Sequence, residues 1–172
     1  MDNRVVVTGL GVVAPNGLSL TAFTKVIKNG TSGIKHDPQL EQLQFSCQIA
    51  GKPELSDDFI AQYFTALELR NFNSTGILYG VIAGMDAWKD AGLTITEGDE
   101  PDWDSGTIFG TGTSGIDKFR ESIYKVDDLQ LRKLGSNVVA QTMASGISAY
   151  LGGKLGLGNQ TTTNSSVCIT VK

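Results

Sequence analysis

Residues 4–13 limit the possible folds more than any other stretch of the chain. They read Arg-Val-Val-Val-Thr-Gly-Leu-Gly-Val-Val, which is rich in β-branched residues and almost continuously apolar. Such a run is typical of a central strand buried on both faces of a sheet, and that strand needs helices above and below it. Turn residues at positions 14–17 end the strand, and Ser19 is placed to cap a helix over residues 20–28. The sequence therefore begins with a predicted strand, turn and helix.

Further strands and helices alternate along the chain. Residues 105–109 and 161–167 predict two more strands, and helical spacing of apolar residues predicts helices over 75–91, 116–124 and 137–151. Strands that alternate with helices indicate a mainly parallel sheet covered by helices on both faces. The predicted fold class is α/β.

Shorter patterns lie between these elements. Residues 45–50 alternate well enough for one short strand, and residues 55–64 suit a short helix capped by Ser56. Gly76, Gly80 and Gly84 form a row of small residues four apart in the 75–91 helix. Glycine inside a helix is costly, so this row predicts a neighbouring backbone packed very close to it.

Composition excludes several classes of protein. The chain has 172 residues, 40% of them hydrophobic and 19% charged, which describes a single globular domain able to bury a core. The net charge is -4, and no stretch gathers Lys and Arg together, so neither nucleic acid nor a membrane surface is expected as a partner. The apolar run at 5–13 is too short for a membrane span, and we expect a cytoplasmic protein.

Two motifs carry possible chemistry. Gly110-Thr-Gly-Thr-Ser-Gly115 fits the G-x-G-x-x-G template in front of a helix, which leaves a nucleotide-binding α/β domain as one hypothesis. No acidic residue follows at the distance that ribose recognition requires, since Asp127 and Asp128 come too early. Cys168, near the end of the 161–167 strand, is either a nucleophile presented at a strand-to-helix corner or a small buried hydrophobe.

Metal and disulfide chemistry find little support in the sequence. Cys47 and Cys168 lie far apart, and His36 is the single histidine, so neither a disulfide framework nor a metal site is predicted. We interpret Cys47 as filler in a short strand and His36 as a solvated turn residue.

Five motifs follow one another along the sequence. They are the predicted opening strand and turn at 4–17, Gly-Thr-Ser-Gly-Ile at 30–34, Trp-Lys-Asp-Ala-Gly-Leu at 88–93, the glycine-rich turn at 110–115, and the predicted helix with its Gly-Leu-Gly turn at 134–158. In these motifs and their order the chain resembles the N-terminal half of the β-ketoacyl-acyl-carrier-protein synthases of the thiolase superfamily, in particular the synthase II type. The resemblance covers nearly all 172 residues.

The resemblance implies an acyltransferase of fatty acid or polyketide synthesis. Cys168 matches the family's active-site cysteine, which accepts an acyl group as a thioester from an acyl carrier protein. A malonyl unit on the same kind of carrier then loses carbon dioxide and attacks that thioester. No separate cofactor is implied, because the substrates are carried on the phosphopantetheine of the carrier protein. The histidines that promote condensation in the family lie in its C-terminal half, outside these residues.

The family pattern is not followed at the end of the sequence. Relatives continue the cysteine with small residues and a glycine, whereas Ile169 and Val171 stand here. We expect residues 1–172 to form an N-terminal half-domain without the C-terminal half and without the buried helix after Cys168. The uncovered face of its sheet would then associate as a homodimer or with another ketosynthase-like chain. We expect the chain alone to be inactive in condensation, and a non-catalytic partner resembling a chain-length factor is the alternative.

Overall fold

The computed structural model describes residues 4–165 of the chain. Cys168, Ile169 and Val171 therefore lie outside the described residues. Among those described, no helix is both long and apolar enough to span a bilayer. The elements follow in the order α1 (Leu20–Lys28), β1 (Lys35–His36), α2 (Pro38–Gln42), β2 (Ile49–Ala50), α3 (Asp57–Ile60), α4 (Ala66–Asn71), α5 (Thr75–Asp90), β3 (Thr107–Gly110), α6 (Ile116–Asp127), a 3-10 turn (Leu131–Lys133), α7 (Val138–Thr142), α8 (Gly146–Leu155) and β4 (Thr161–Asn164).

The α/β prediction is confirmed. Strands β3 and β4 pair in parallel, with Thr107 opposite Thr161 and Gly110 opposite Asn164. Helix α8 packs on one face of this pair and α5 packs on α8. Apolar side chains from the two helices and from Phe64 form the core: Phe64, Ile77, Val81, Ile82, Ile147, Leu151 and Leu155. On the other face of β3, Ile108 is 76% exposed, so the described residues cover only one face of the pair.

The predicted row of glycines marks the contact between α5 and α8. A Cβ on Gly80 would overlap Ile147 Cγ2 and would lie 3.4 Å from Phe109 Cε1. A Cβ on Gly84 would overlap the Leu151 side chain. The close approach is therefore confirmed, but the neighbours of Gly80 and Gly84 are side chains of α8, where we expected a backbone.

The prediction of a central strand at residues 4–13 is wrong. No strand is assigned to this segment, and Val5 is 92% exposed. The segment lies along α5, where Gly9 and Gly11 approach the helix backbone at Ala87 and Ala83. The Leu10 amide donates to Asp90 Oδ2 at 2.9 Å. A cleft of about 370 Å³, lined by residues 7–9 and 106–109, lies beside β3. A β-branched run becomes a strand only with a ladder partner, and residues 4–165 supply none for this segment.

The single helix predicted over residues 137–151 is also wrong, because the structure has two helices there. Met143 ends α7 in an extended conformation with ψ 141°, and α8 begins at Gly146. Helix α7 packs on α6, whereas α8 packs on α5, β3 and β4. Tertiary packing thus overrides a helical pattern that is continuous in sequence.

Other predictions hold with shifted boundaries. Helix α1 has the predicted bounds, and its Ser19 Oγ accepts from the Ala22 amide at 3.3 Å. Ser56 caps α3 as predicted, although α3 ends at Ile60. The short strand predicted at 45–50 is reduced to β2, which pairs antiparallel with β1. Helix α4 was not predicted, although its capping box of Thr65 and Glu68 is readable in the sequence.

Glu68 joins α4 to α8. Its Oε1 accepts from Lys154 Nζ at 2.6 Å and from the Tyr150 hydroxyl at 3.0 Å. Its Oε2 accepts from the Thr65 amide at 2.7 Å and from Thr65 Oγ1 at 2.9 Å. Burial acts to raise the pKa of Glu68, but the hydrogen bonds from Lys154, Thr65 and Tyr150 outweigh it and lower that pKa to about 2. The ionised carboxylate is therefore the form that the fold stabilises.

We predict opposite stability effects for two glycine-to-alanine substitutions in helices. Gly80→Ala gains helix propensity, but its methyl group meets Ile147 Cγ2. That atom can move only if χ1 of Ile147 rotates, and χ1 of a β-branched side chain is stiff. Overpacking then costs about 1–3 kcal/mol. Gly153→Ala in α8 meets nothing within 4 Å, and it should stabilise by about 0.5–1 kcal/mol. Urea unfolding measures both changes, and stabilisation by both substitutions would contradict the packing of α5 on α8.

We predict that Glu68→Gln lowers the free energy of unfolding at pH 7, with a deficit that shrinks as the pH falls. The folded pKa of about 2 lies below the ordinary value of 4.5, so the carboxylate stabilises the fold above about pH 4.5. That contribution is lost as the pH falls from about 4.5 towards 2. Urea unfolding at several pH values tests this, with Glu97→Gln as a control at an exposed position. A deficit independent of pH would contradict the role of the charge.

Candidate functional site

The carboxyl ends of β3 and β4 meet at one edge of the sheet, because the strands are parallel. Gly110 and Asn164 are opposite each other at that edge, and the Thr111 amide donates to the Asn164 carbonyl oxygen at 2.9 Å. The glycine-rich loop of residues 110–115 follows β3 there. Ligands of parallel α/β sheets bind at this edge, so it is the first place to search for a site.

Strand β4 ends at this edge with Asn164, and the sequence continues from there to Cys168. The cysteine follows four positions after Asn164 and lies outside the described residues, so its role as a nucleophile stays a prediction. The strand itself is firmly held. Thr163 Oγ1 and Ser148 Oγ are 2.7 Å apart, and Thr107 Oγ1 donates to the Ser148 carbonyl oxygen at 3.0 Å. Ser148 of α8, which is fully buried, therefore contacts both strands.

The glycine-rich loop has a packing role in the structure. Gly115 adopts φ 65°, and a Cβ there would overlap the carbonyl oxygen of Gln141. Asp117 lies in the first turn of α6, and its Oδ2 accepts from the Thr75 amide at 3.0 Å and from Thr75 Oγ1 at 2.9 Å. A carboxylate in that turn repels the phosphate that a nucleotide loop would place at the helix N-terminus. The geometry thus favours packing over nucleotide binding for this motif.

A second candidate is a polar pocket of about 400 Å³ between α6, the end of α4 and residues 132–138. Five basic side chains line it, out of 14 in the whole chain. They are Arg70, Lys118, Lys125, Arg132 and Lys133. We call this the basic pocket. A concave surface lined mostly by positive charge concentrates the electrostatic potential and attracts anions.

Glu121 is the one acidic residue lining the basic pocket in the described part of the chain. Lys118 Nζ lies 2.8 Å from its Oε2, and Lys125 Nζ lies 2.6 Å from its Oε1. Hydrogen bonds from Lys118 and then Lys125 lower the pKa of Glu121 to about 2, so this side chain is ionised at neutral pH. Within residues 4–165, no ion pair engages Arg70, Arg132 or Lys133.

Sequence reasoning missed this pocket. No stretch of sequence gathers Lys and Arg, but the fold gathers basic residues from α4, α6 and the 3-10 turn. The only local signal was the pair Arg132 and Lys133, which is too short to distinguish from ordinary surface charge. Positive charge is thus concentrated on a chain whose net charge is -4.

The remaining chemical candidates form no site in the described residues. Cys47 is a free, exposed cysteine. His36 is exposed, and its Nε2 lies 3.5 Å from Glu41 Oε2. Over residues 4–165, no group of three or more His, Cys, Asp or Glu side chains is arranged to hold a metal ion.

Comparison with known proteins finds a consistent match over almost the whole chain. The family described as "Beta-ketoacyl synthase, N-terminal domain" matches residues 2–170. The 3-oxoacyl-[acyl-carrier-protein] synthase 2 of Vibrio harveyi is 30% identical over 168 residues, which cover 97% of this chain and 39% of that protein. The chain therefore spans about two fifths of the length of that relative.

Solved structures share the fold. The ishigamide ketosynthase/chain length factor matches with a TM-score of 0.72 and 19% identity, over 94% of this chain and 39% of the other. A ketosynthase described in complex with its type II PKS acyl-carrier protein matches with a TM-score of 0.67 and 21% identity, over 94% and 41%. The described residues thus share the fold of these ketosynthases. Together with the match over residues 2–170, this shows that the chain belongs to the β-ketoacyl synthase family, whose N-terminal domain it matches.

Proposed function

We propose that this chain is the N-terminal part of a condensing enzyme in which Cys168 carries the acyl group. The single observation that carries the proposal is the family match, which extends through residue 170 and so includes Cys168. The position of β4 supports it, since this strand ends with Asn164 at the edge where ligands of parallel sheets bind, and Cys168 follows four positions later in the sequence. Substrates bound there would meet the residues that follow β4.

The proposed reaction has two stages. The Cys168 thiolate attacks the carbonyl carbon of an acyl thioester on a carrier protein, the bond from that carbon to the carrier's sulfur breaks, and the carrier's thiolate leaves and takes a proton from water. A malonyl thioester then loses carbon dioxide, and the resulting carbanion attacks the acyl-cysteine carbonyl. A carbon-carbon bond forms and the Cys168 thiolate is released. The amide of Cys168 would stabilise the oxyanion in both stages.

The partner that we propose is an acyl carrier protein with a phosphopantetheine arm. The basic pocket supports an anionic partner, because Arg70, Arg132 and Lys133 have no ion pair among the described residues. One neighbour in fold is described in complex with its acyl-carrier protein, which is consistent with this choice. Complementary charge would chiefly speed the encounter with such a partner.

The proposed activity requires residues beyond these 172. The relatives are longer than this chain, which spans 39% of the Vibrio harveyi enzyme. The resemblance assigns the condensation-promoting histidines to the remainder, and His36 is the single histidine here. We therefore propose that these residues by themselves do not condense acyl and malonyl thioesters. We also propose a cytoplasmic location and pairing with a second ketosynthase-like chain.

A non-catalytic partner resembling a chain-length factor is the second candidate. One neighbour in fold is described as a ketosynthase/chain length factor. The residues after Cys168 also favour this candidate, because Ile169 and Val171 replace the small residues that the resemblance leads one to expect. In this case Cys168 would be inert and the chain would act by binding a catalytic chain.

Acyl transfer distinguishes the two candidates. We expect a mass increase of one acyl group when the protein is incubated with an acylated carrier protein, and no increase for Cys168→Ser. Cys47→Ser is the matched control, since Cys47 is exposed and should be dispensable. Peptide mapping locates the acyl group.

The opposite outcomes have clear meanings. Acylation of Cys47 alone, or none under conditions that acylate a full-length relative, would contradict the proposed role of Cys168. Tight binding of such an inert chain to a catalytic ketosynthase would support the chain-length-factor alternative.

A further inference from the structure

The acidic residue of the basic pocket, Glu121, is paired with only two of the five basic side chains. Helix α6 contributes Lys118, Glu121 and Lys125 to one wall, and Glu121 holds one lysine on each carboxylate oxygen. The Lys118 and Lys125 side chains are 19% and 27% exposed, so both are held against the protein. The other three cations come from the end of α4 and from residues 132–133.

This arrangement divides the pocket into two regions of different charge. Along α6, the Glu121 carboxylate is 45% exposed and is paired with two lysines, so two positive charges and one negative charge leave only one net positive charge on this wall. At Arg70, Arg132 and Lys133, no carboxylate of the pocket lining is paired with the cations in the described residues. An anionic group therefore meets three cations at one side and, at the other, two lysines whose attraction is offset by an exposed carboxylate.

A like charge inside a binding surface acts on specificity more than on affinity. If a partner places its anionic groups only against the three unpaired cations, those groups stay away from Glu121. The Glu121 carboxylate then lowers the affinity for that partner very little. A polyanion without a fixed arrangement spreads over all five cations, and it must displace Glu121 from the lysines or be repelled by it. Selectivity through a repulsive element of this kind is a general device of specific interfaces.

We propose that Glu121 is a specificity-determining residue of the basic pocket, which keeps Lys118 and Lys125 paired and confines anionic groups of the carrier to Arg70, Arg132 and Lys133. The proposal rests on the proposed function, because it takes the carrier protein as the occupant of the pocket. In this proposal the Glu121 carboxylate selects the carrier over other anions, and Arg70, Arg132 and Lys133 attract it.

The test compares two ligands on matched variants. Binding of a phosphopantetheinylated carrier protein and of a polyglutamate peptide is measured for the wild type, Glu121→Gln and Glu100→Gln at several salt concentrations. Glu100→Gln removes the same charge from the exposed acidic loop, outside the pocket lining. Glu121→Gln should tighten polyglutamate binding by about three- to tenfold and carrier binding by less. Polyglutamate binding by this variant should also depend more steeply on salt concentration than binding by the wild type does. Glu100→Gln should leave the ratio of the two affinities unchanged.

Two further variants complete the test. Glu121→Asp keeps the charge, and we expect it to retain most of the wild-type discrimination. Arg132→Ala with Lys133→Ala should weaken carrier binding. If Glu121→Gln and Glu100→Gln give the same ratio of the two affinities while the double variant loses carrier binding, the proposed role of Glu121 is wrong. The proposal that the carrier docks at the basic pocket is then still supported. If the double variant binds the carrier as well as the wild type, the pocket is not the docking site and both proposals about it fail.

Discussion

The contact between α5 and α8 positions the β3–β4 sheet and is linked to both candidate sites. Two glycines of α5 face Ile147 and Leu151 of α8, and these side chains fill the space that a Cβ would take. Close packing of this kind removes apolar side chains from water and leaves no room for another methyl group. Because α8 in turn carries β3 and β4, the position of the sheet depends on this one contact.

Both candidate sites are connected to the same two helices. Ser148 of α8 contacts β4 through Thr163, and so it fixes the strand that leads towards Cys168. Glu68 joins α4 to α8, and α4 ends beside Arg70 of the basic pocket. Gln141, which also lines that pocket, accepts through its Oε1 from the Asn73 and Ser74 amides at the start of α5. The packing of α5 on α8, strand β4 and the basic pocket therefore form one connected structure.

Sequence patterns predicted elements whose signals are local. Helices α1 and α6 and strand β3 lie where apolar periodicity and capping residues predict them. The row of glycines in α5 correctly predicted a close contact. Two predictions failed because contacts with distant parts of the chain decided them. Within residues 4–165 the segment 4–13 has no strand partner, and the run at 137–151 divides into α7, which packs on α6, and α8, which packs on α5. The basic pocket could not be predicted, since Arg70, Lys118 and Arg132 become neighbours only through folding.

Amide hydrogen exchange tests the central claim, which is that α5 and α8 form the unit on which the sheet depends. Amides that exchange only through the largest openings belong to the most stable unit of a protein. We predict the slowest exchange within Thr75–Asp90 and Gly146–Leu155, followed by β3 and β4, and much faster exchange in β1 and β2. Protection of β1 and β2 equal to that of α5 and α8, or rapid exchange at Val81 and Leu151, would contradict this account.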